Sequence, residues 1–195
     1  NLDFIYDKRN QKFQTTSGFK SFYSLDIPVI SEKNTLKNYY DYEYYFDLFD
    51  KNISSFSFLL RSANSITGEN VKLSERINLP SSRLRGFEAG RIGPKDGDDF
   101  IGGNYAASIN FASTIPQIFE ESQNVDFLFF IDTANLWGVD YNSSLDDSGS
   151  IRSSTGVALD WFSPVGPLNF SIALPITKKD GDKTETFRFN LGTTF

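Results

Sequence analysis

Nine stretches of the chain alternate apolar and polar side chains, each set off by turn residues. The last of them, 185–195, shows the pattern most plainly. Phe187, Phe189, Leu191 and Phe195 fall on one side of an extended strand, with Thr193 in the gap. Thr186, Arg188, Asn190, Gly192 and Thr194 fall on the other, because a strand sends successive side chains to opposite faces. The other stretches are 2–7, 18–29, 38–49, 53–65, 104–115, 125–137, 153–162 and 167–177. In 38–49 the aromatics Tyr40, Tyr42, Tyr44 and Phe46 alternate with Asp41, Glu43 and Asp47. In 125–137, Phe127, Phe129 and Ile131 oppose Asp126 and Asp132. In 167–177, Phe170, Ile172 and Leu174 oppose Asn169, Ser171 and Ala173. The pattern predicts an all-β antiparallel chain with one apolar face and one face of charges, amides and small residues. Only one helical turn, near 116–121, interrupts it.

Two architectures share this pattern. In a soluble sandwich the apolar face points into a core; in a membrane barrel it points to lipid. Alternation alone does not separate them. Strand lengths of roughly 10–12 residues fit a tilted membrane strand and exceed the usual soluble length of about 5–6. From about residue 50 onward the connectors alternate short and long. Segments 50–52 and 163–166 are short, with 115–124 the least tidy of that class, while 66–103, 138–152 and 178–183 are longer and polar. Membrane barrels sort their loops by end in this way. That asymmetry places Phe195 on the side of the short turns, the periplasmic side.

Composition narrows the classes. Only 39% of residues are hydrophobic, yet 16% are aromatic, with 20 Phe and 9 Tyr. This suits a wall in which every second residue meets lipid. No run approaches the roughly 18 apolar residues of a membrane helix. The net charge of −6 argues against nucleic acid as a partner. The chain has no Cys and no His, so thiolate and imidazole chemistry are both absent. The chain begins at Asn1 without Met or signal peptide, as a fragment or processed product would.

One stretch carries a more specific signal. The loop 66–103 contains Leu84-Arg85-Gly86-Phe87, then Ile92-Gly93-Pro94, and it runs into Gly102-Gly103-Asn104. Segments 129–138, 156–167 and 180–195 continue the series. In this order they resemble the outer-membrane barrel-assembly (surface antigen) family, over the whole chain and most strongly from Arg83 onward. The resemblance implies an antiparallel transmembrane β-barrel of 16 strands, of which residues 1–195 would supply the last 8–9. The periplasmic POTRA domains and first strands would lie outside this chain. It implies a protein that folds and inserts other β-barrels into the bacterial outer membrane through a lateral seam, without ATP, cofactor, metal or enzymatic activity. The implied partners are outer-membrane lipid, unfolded outer-membrane proteins and the lipoproteins of an assembly complex.

Residue by residue, the resemblance makes Leu84, Arg85, Gly86 and Phe87 a motif folded back into the lumen. Arg85 would dock on Asp132. Asn110 stands where the family often has Glu, so one ion pair there becomes a hydrogen bond. Phe187, Phe189, Leu191, Gly192 and Phe195 would form both the sorting signal and one lip of the lateral gate, with Gly192 as a local weak point. The alternatives are a two-partner secretion or TamA-like translocator on the same barrel, and beyond these a passive porin or a soluble β-barrel. Trp137 and Trp161 read as interface aromatics. Asp96, Asp98 and Asp99 lack a full Ca²⁺-binding loop and read, like Asp146-Asp147, as solvated acidic turns.

Overall fold

A computed structural model describes residues 1–12, 14–28, 34–116, 124–164 and 166–191. The long strands are β1 (Leu2–Asp7), β2 (Gly18–Asp26), β3 (Thr35–Phe46), β4 (Ser54–Ser65), β7 (Tyr105–Thr114), β8 (Val125–Trp137), β9 (Arg152–Ser163), β10 (Gly166–Thr177) and β11 (Phe187–Leu191). They pair antiparallel, each with its neighbour in sequence, as one nine-stranded sheet. The sheet is open, with β1 and β11 at its edges. A two-residue-per-strand hairpin, β5 (Lys95–Asp96) and β6 (Asp99–Phe100), lies inside the loop between β4 and β7. Among the described residues no helix is long and apolar enough to cross a membrane. The long strands can do so instead: β3, β4 and β7–β10 carry 10–13 residues each, enough when tilted.

The two faces follow the period of two. On one, Phe56, Leu60, Ile109, Phe129, Ile131, Val157, Trp161, Ile172, Leu174, Phe187 and Phe189 are exposed, with Leu174 at 62% and Phe189 at 49%. Phe170 and Phe189 do meet, at 5.0 Å between ring centroids, but on this outer surface. On the other face Ser108, Asn110, Asp132, Arg152, Asn169, Ser171 and Arg188 are buried, and Asp132 and Arg152 are 0% exposed. Apolar atoms presented to the outside and buried charges behind them invert a soluble core. The sandwich alternative fails on this point.

Three expectations need adjustment. The aromatic strand runs Thr35–Phe46 rather than 38–49, so Leu48 and Phe49 fall in the turn. Leu128 and Phe130 point inward on β8 and are buried there. The inner face is therefore not purely polar, because an element from elsewhere in the chain covers it. The terminal strand is described only as Phe187–Leu191; Gly192 and Phe195 lie outside the described residues. So does most of the turn expected near 116–121.

Since successive strands reverse direction, the connectors alternate between two ends. Residues 47–53, 115–116, 124 and 164 lie at one end, and 66–104, 138–151 and 178–186 at the other. β11 runs toward the short-turn end.

Candidate functional site

The element that covers the inner face is the loop between β4 and β7. It brings its own apolar side chains, Val71, Ile77, Leu79, Leu84, Phe87 and Ile92. These pack on Leu59, Ala63, Ala106, Ala134 and Leu136 of the wall, all of them buried. The wall residues Ala63, Ala106 and Ala134 are small, which leaves room for the loop. The loop is closed at its base where Ile77 and Gly103 exchange backbone hydrogen bonds (3.0 and 2.7 Å). A Cβ on Gly103 would lie 2.4 Å from the Trp137 carbonyl oxygen, so only glycine permits this approach.

Within the loop a 3-10 turn, Ser81–Arg83, leads into the motif. Arg85 and Asp132 meet, as a fork should. Nε donates to Oδ2 at 2.7 Å, Nη2 to Oδ1 at 2.7 Å, and the Arg85 backbone N–H to Oδ2 at 3.0 Å. The guanidinium also lies 3.5 Å from the centroid of the Phe130 ring, which explains an aromatic on the lumen side of β8. Asn110 does not reach the Arg85 side chain. Its amide donates to Asp132 Oδ1 at 2.9 Å and to the Arg83 carbonyl at 2.8 Å. An amide here buttresses the carboxylate, whereas a second carboxylate would repel it. Gly86 adopts φ +89°, and an added Cβ would sit 3.2 Å from the Cβ of Ala173 and 3.3 Å from that of Ser154. Phe87 is 2% exposed.

Two further contacts escaped the sequence reading. Arg83 Nη1 donates to Ser57 Oγ at 2.7 Å and Nη2 to Asp41 Oδ1 at 3.1 Å, with Glu43 at 3.7 Å. Arg83 and Arg85 therefore grip different parts of the wall, β3–β4 and β8. Arg188, placed by the sequence only on the polar side of the last strand, holds the loop from β11. Its Nη1 donates to the Ser81 carbonyl at 2.6 Å and its Nη2 to the Phe87 carbonyl at 2.5 Å. The available signal was charge at inward strand positions, but its loop partners are distant in sequence. Below the loop an open cavity of about 700 Å³ is lined by Asp41, Glu43, Arg61, Arg83, Asp126 and Asp160 among others.

A second charged cluster joins the outer loops, and it corrects the solvated reading of Asp147, which is 1% exposed. Arg152 Nη2 donates to Asp147 Oδ2 at 2.5 Å. Its Nε and Nη2 donate to Asp182 at 2.9 and 3.0 Å, and its Nη1 to Asn135 Oδ1 at 3.1 Å. Lys179 Nζ donates to Asp147 Oδ1 at 2.6 Å. Burial opposes the Asp147 charge. Hydrogen bonds from Lys179, Ser150 and Arg152 outweigh it and hold the carboxyl below the usual carboxylate range. Neighbouring Asp146 does stay toward solvent, accepting from the Gly138 backbone N–H at 2.8 Å. Asp98 is solvated and pairs loosely with Lys95, while Asp96 accepts from the Tyr141 hydroxyl at 3.0 Å. Among the described residues no three His, Cys, Asp or Glu side chains converge as metal ligands. Trp161 is exposed on the outer face, and Trp137 lies tilted against Tyr105, with ring centroids 5.8 Å apart.

A model of the Omp85 superfamily domain matches residues 1–195. The outer membrane protein assembly factor BamA of Neisseria meningitidis is 32% identical over 139 residues, covering 57% of this chain and 17% of that protein. BamA of Neorickettsia risticii is 31% identical over 144 residues, covering 71% of this chain and 19% of that protein. A SAM50-like protein of Schizosaccharomyces pombe is 32% identical over 138 residues, covering 65% of this chain and 28% of that protein. The crystal structure of BamA from Haemophilus ducreyi lacking POTRA domains 1–3 superposes with a TM-score of 0.88 at 30% identity. It covers 99% of this chain and 41% of that one. The chain thus spans less than a third of the length of these curated relatives.

Proposed function

The chain belongs to the Omp85 superfamily, and from that premise we propose that it forms the carboxy-terminal barrel portion of an outer-membrane protein assembly factor. Its outward apolar face sits in the outer membrane. The observation that supports the reading best is the motif loop seated inside the barrel wall on Asp132, a fully buried carboxylate bonded by a forked guanidinium.

The mechanism proposed follows from strand edges. Unpaired backbone groups in lipid lack any partner, so a barrel must close its first strand on its last. A weak closure can open and offer an edge to the strand of an incoming protein, which adds by β-augmentation. No ATP is required for that exchange, because each hydrogen bond lost at the seam is replaced by one to the substrate. In this chain the lip would be β11, with Phe187, Phe189 and Leu191 facing lipid, and the sorting signal would take in Gly192 and Phe195, which follow in sequence. Unfolded outer-membrane proteins would be the substrates, and lipoproteins of an assembly complex the accessory partners.

The test is a disulfide between Cys residues placed in β11 and in the first strand of the full-length barrel. Assembly of a model outer-membrane substrate in vesicles should stop on oxidation and recover on reduction. Undiminished assembly with the seam locked would remove the lateral route.

A further inference from the structure

Among the described residues, β10 and β11 pair in register from Leu168–Leu191 to Ile172–Phe187. One more bond, Ala173 N–H to the Thr186 carbonyl at 2.9 Å, follows. The chain then leaves β10. Glu185 N–H donates instead to the Gly86 carbonyl at 3.1 Å, Phe87 bridges Thr184 antiparallel, and Glu88 N–H donates to the Lys183 carbonyl at 3.0 Å. The head of the last strand is therefore paired with the lumen loop, and its body with the sheet.

Arg188 sits at this switch. It is 8% exposed, on the first inward position of β11. Its two terminal nitrogens donate to the carbonyls of Ser81, in the turn before the motif, and of Phe87, the motif's last residue. Glu185 Oε2 accepts from Nε at 3.1 Å and from Nη2 at 2.8 Å, which aims the fork. Buried carbonyls need donors, and only a guanidinium spans two separated acceptors while keeping a third bond for its own orientation. Arg83 ties the same loop to Asp41 on β3, on the far side of the sheet. The loop is thus a strut from β3–β4 to the head of β11.

We propose that Arg188 is a positioning residue that fastens the head of the last strand to the lumen loop, so that the two move as one body. The loop then reports and limits the position of the last strand. Its bearing on gating rests on the lateral-seam reading above; the mechanical coupling does not.

The experiment is amide hydrogen exchange on the full-length protein in nanodiscs, comparing the native residue with Arg188→Gln and Arg188→Lys. Glutamine is too short to reach both carbonyls, so exchange at the Glu88 and Glu185 amides should rise roughly tenfold or more. Lysine gathers its donors on a single nitrogen, which cannot sit at both carbonyls as the fork does, and should fall between. Amides of β7 and β8 should be unchanged, whereas a general loss of stability would raise them as well. Equal exchange in all three proteins, or a rise spread evenly over the barrel, overturns the proposal. If Arg188→Gln yields no folded barrel, Glu88→Cys with Lys183→Cys in the otherwise native protein carries the test. Oxidation should join the pair without loss of the fold, and failure to form the bond overturns the proposed fastening. Neither readout uses substrate assembly, so a protein with no assembly activity could still pass, and the two readings fail separately.

Discussion

Removing either partner of the Arg85–Asp132 pair should destabilise the docked loop far more than a surface ion pair would. Asp132 is fully enclosed even in the open sheet, and further barrel strands can only lower exposure. Its carboxylate accepts four hydrogen bonds, three from Arg85 and one from Asn110, all between 2.7 and 3.0 Å. A pair of this kind belongs to the buried class. Asp132→Ala strands a guanidinium that is itself 8% exposed, and such deletions cost about 3–5 kcal/mol. Arg85→Ala strands the carboxylate and also removes the stacking on Phe130. The double substitution leaves no orphan charge, so it should cost less than the sum of the singles by about 2–3 kcal/mol. The assay is the opening free energy read from native-state exchange at the Glu88 amide, which bonds to Lys183 only when the loop is docked. The four proteins complete the cycle. If the two single effects add to within about 0.5 kcal/mol, the pair is screened like an exposed one, worth under about 1 kcal/mol, and the burial argument fails.

Other expectations follow from the same geometry. Gly86→Ala forces a side chain into positive φ against Ala173 and Ser154; it should destabilise the docked loop by about 1–2 kcal/mol, seen as faster cleavage of the loop by added protease. Arg152→Ala leaves Asp182 without its cation and Asp147 with Lys179 alone, at a cost of about 3 kcal/mol; thermal scans of the heat-modifiable band should show the loss. The Asp147 carboxyl is held below its unfolded value, so its stabilisation is present at neutral pH and is lost as pH falls through about 4 and below. Exchange in segment 138–151, corrected for the intrinsic rate, should therefore rise between pH 7 and pH 3, and Asp147→Asn should flatten that dependence.

What could be read from the chain alone is what depends on neighbours one or two residues apart. The period of two follows from local backbone sterics, so Phe129 and Ile131 against Asp132 declared a strand and its two faces without reference to any other strand. Loop lengths sorted the ends for the same reason. The motif at Leu84–Phe87, read with the ordered series around it, pointed to Arg85 and Asp132 because the family resemblance supplied the pairing. Strand length and loop asymmetry had already turned the apolar face to lipid; tertiary structure alone decided which partners Arg83, Arg152 and Arg188 find. Arg152 finds Asp182 across two loops, and Arg188 finds carbonyls more than a hundred positions away, at 2.6 and 2.5 Å. Phe130 is inward because a guanidinium from the loop lies on it. Such pairings depend on strand register and on the path of a long loop, and neither leaves a periodic trace in the residues themselves.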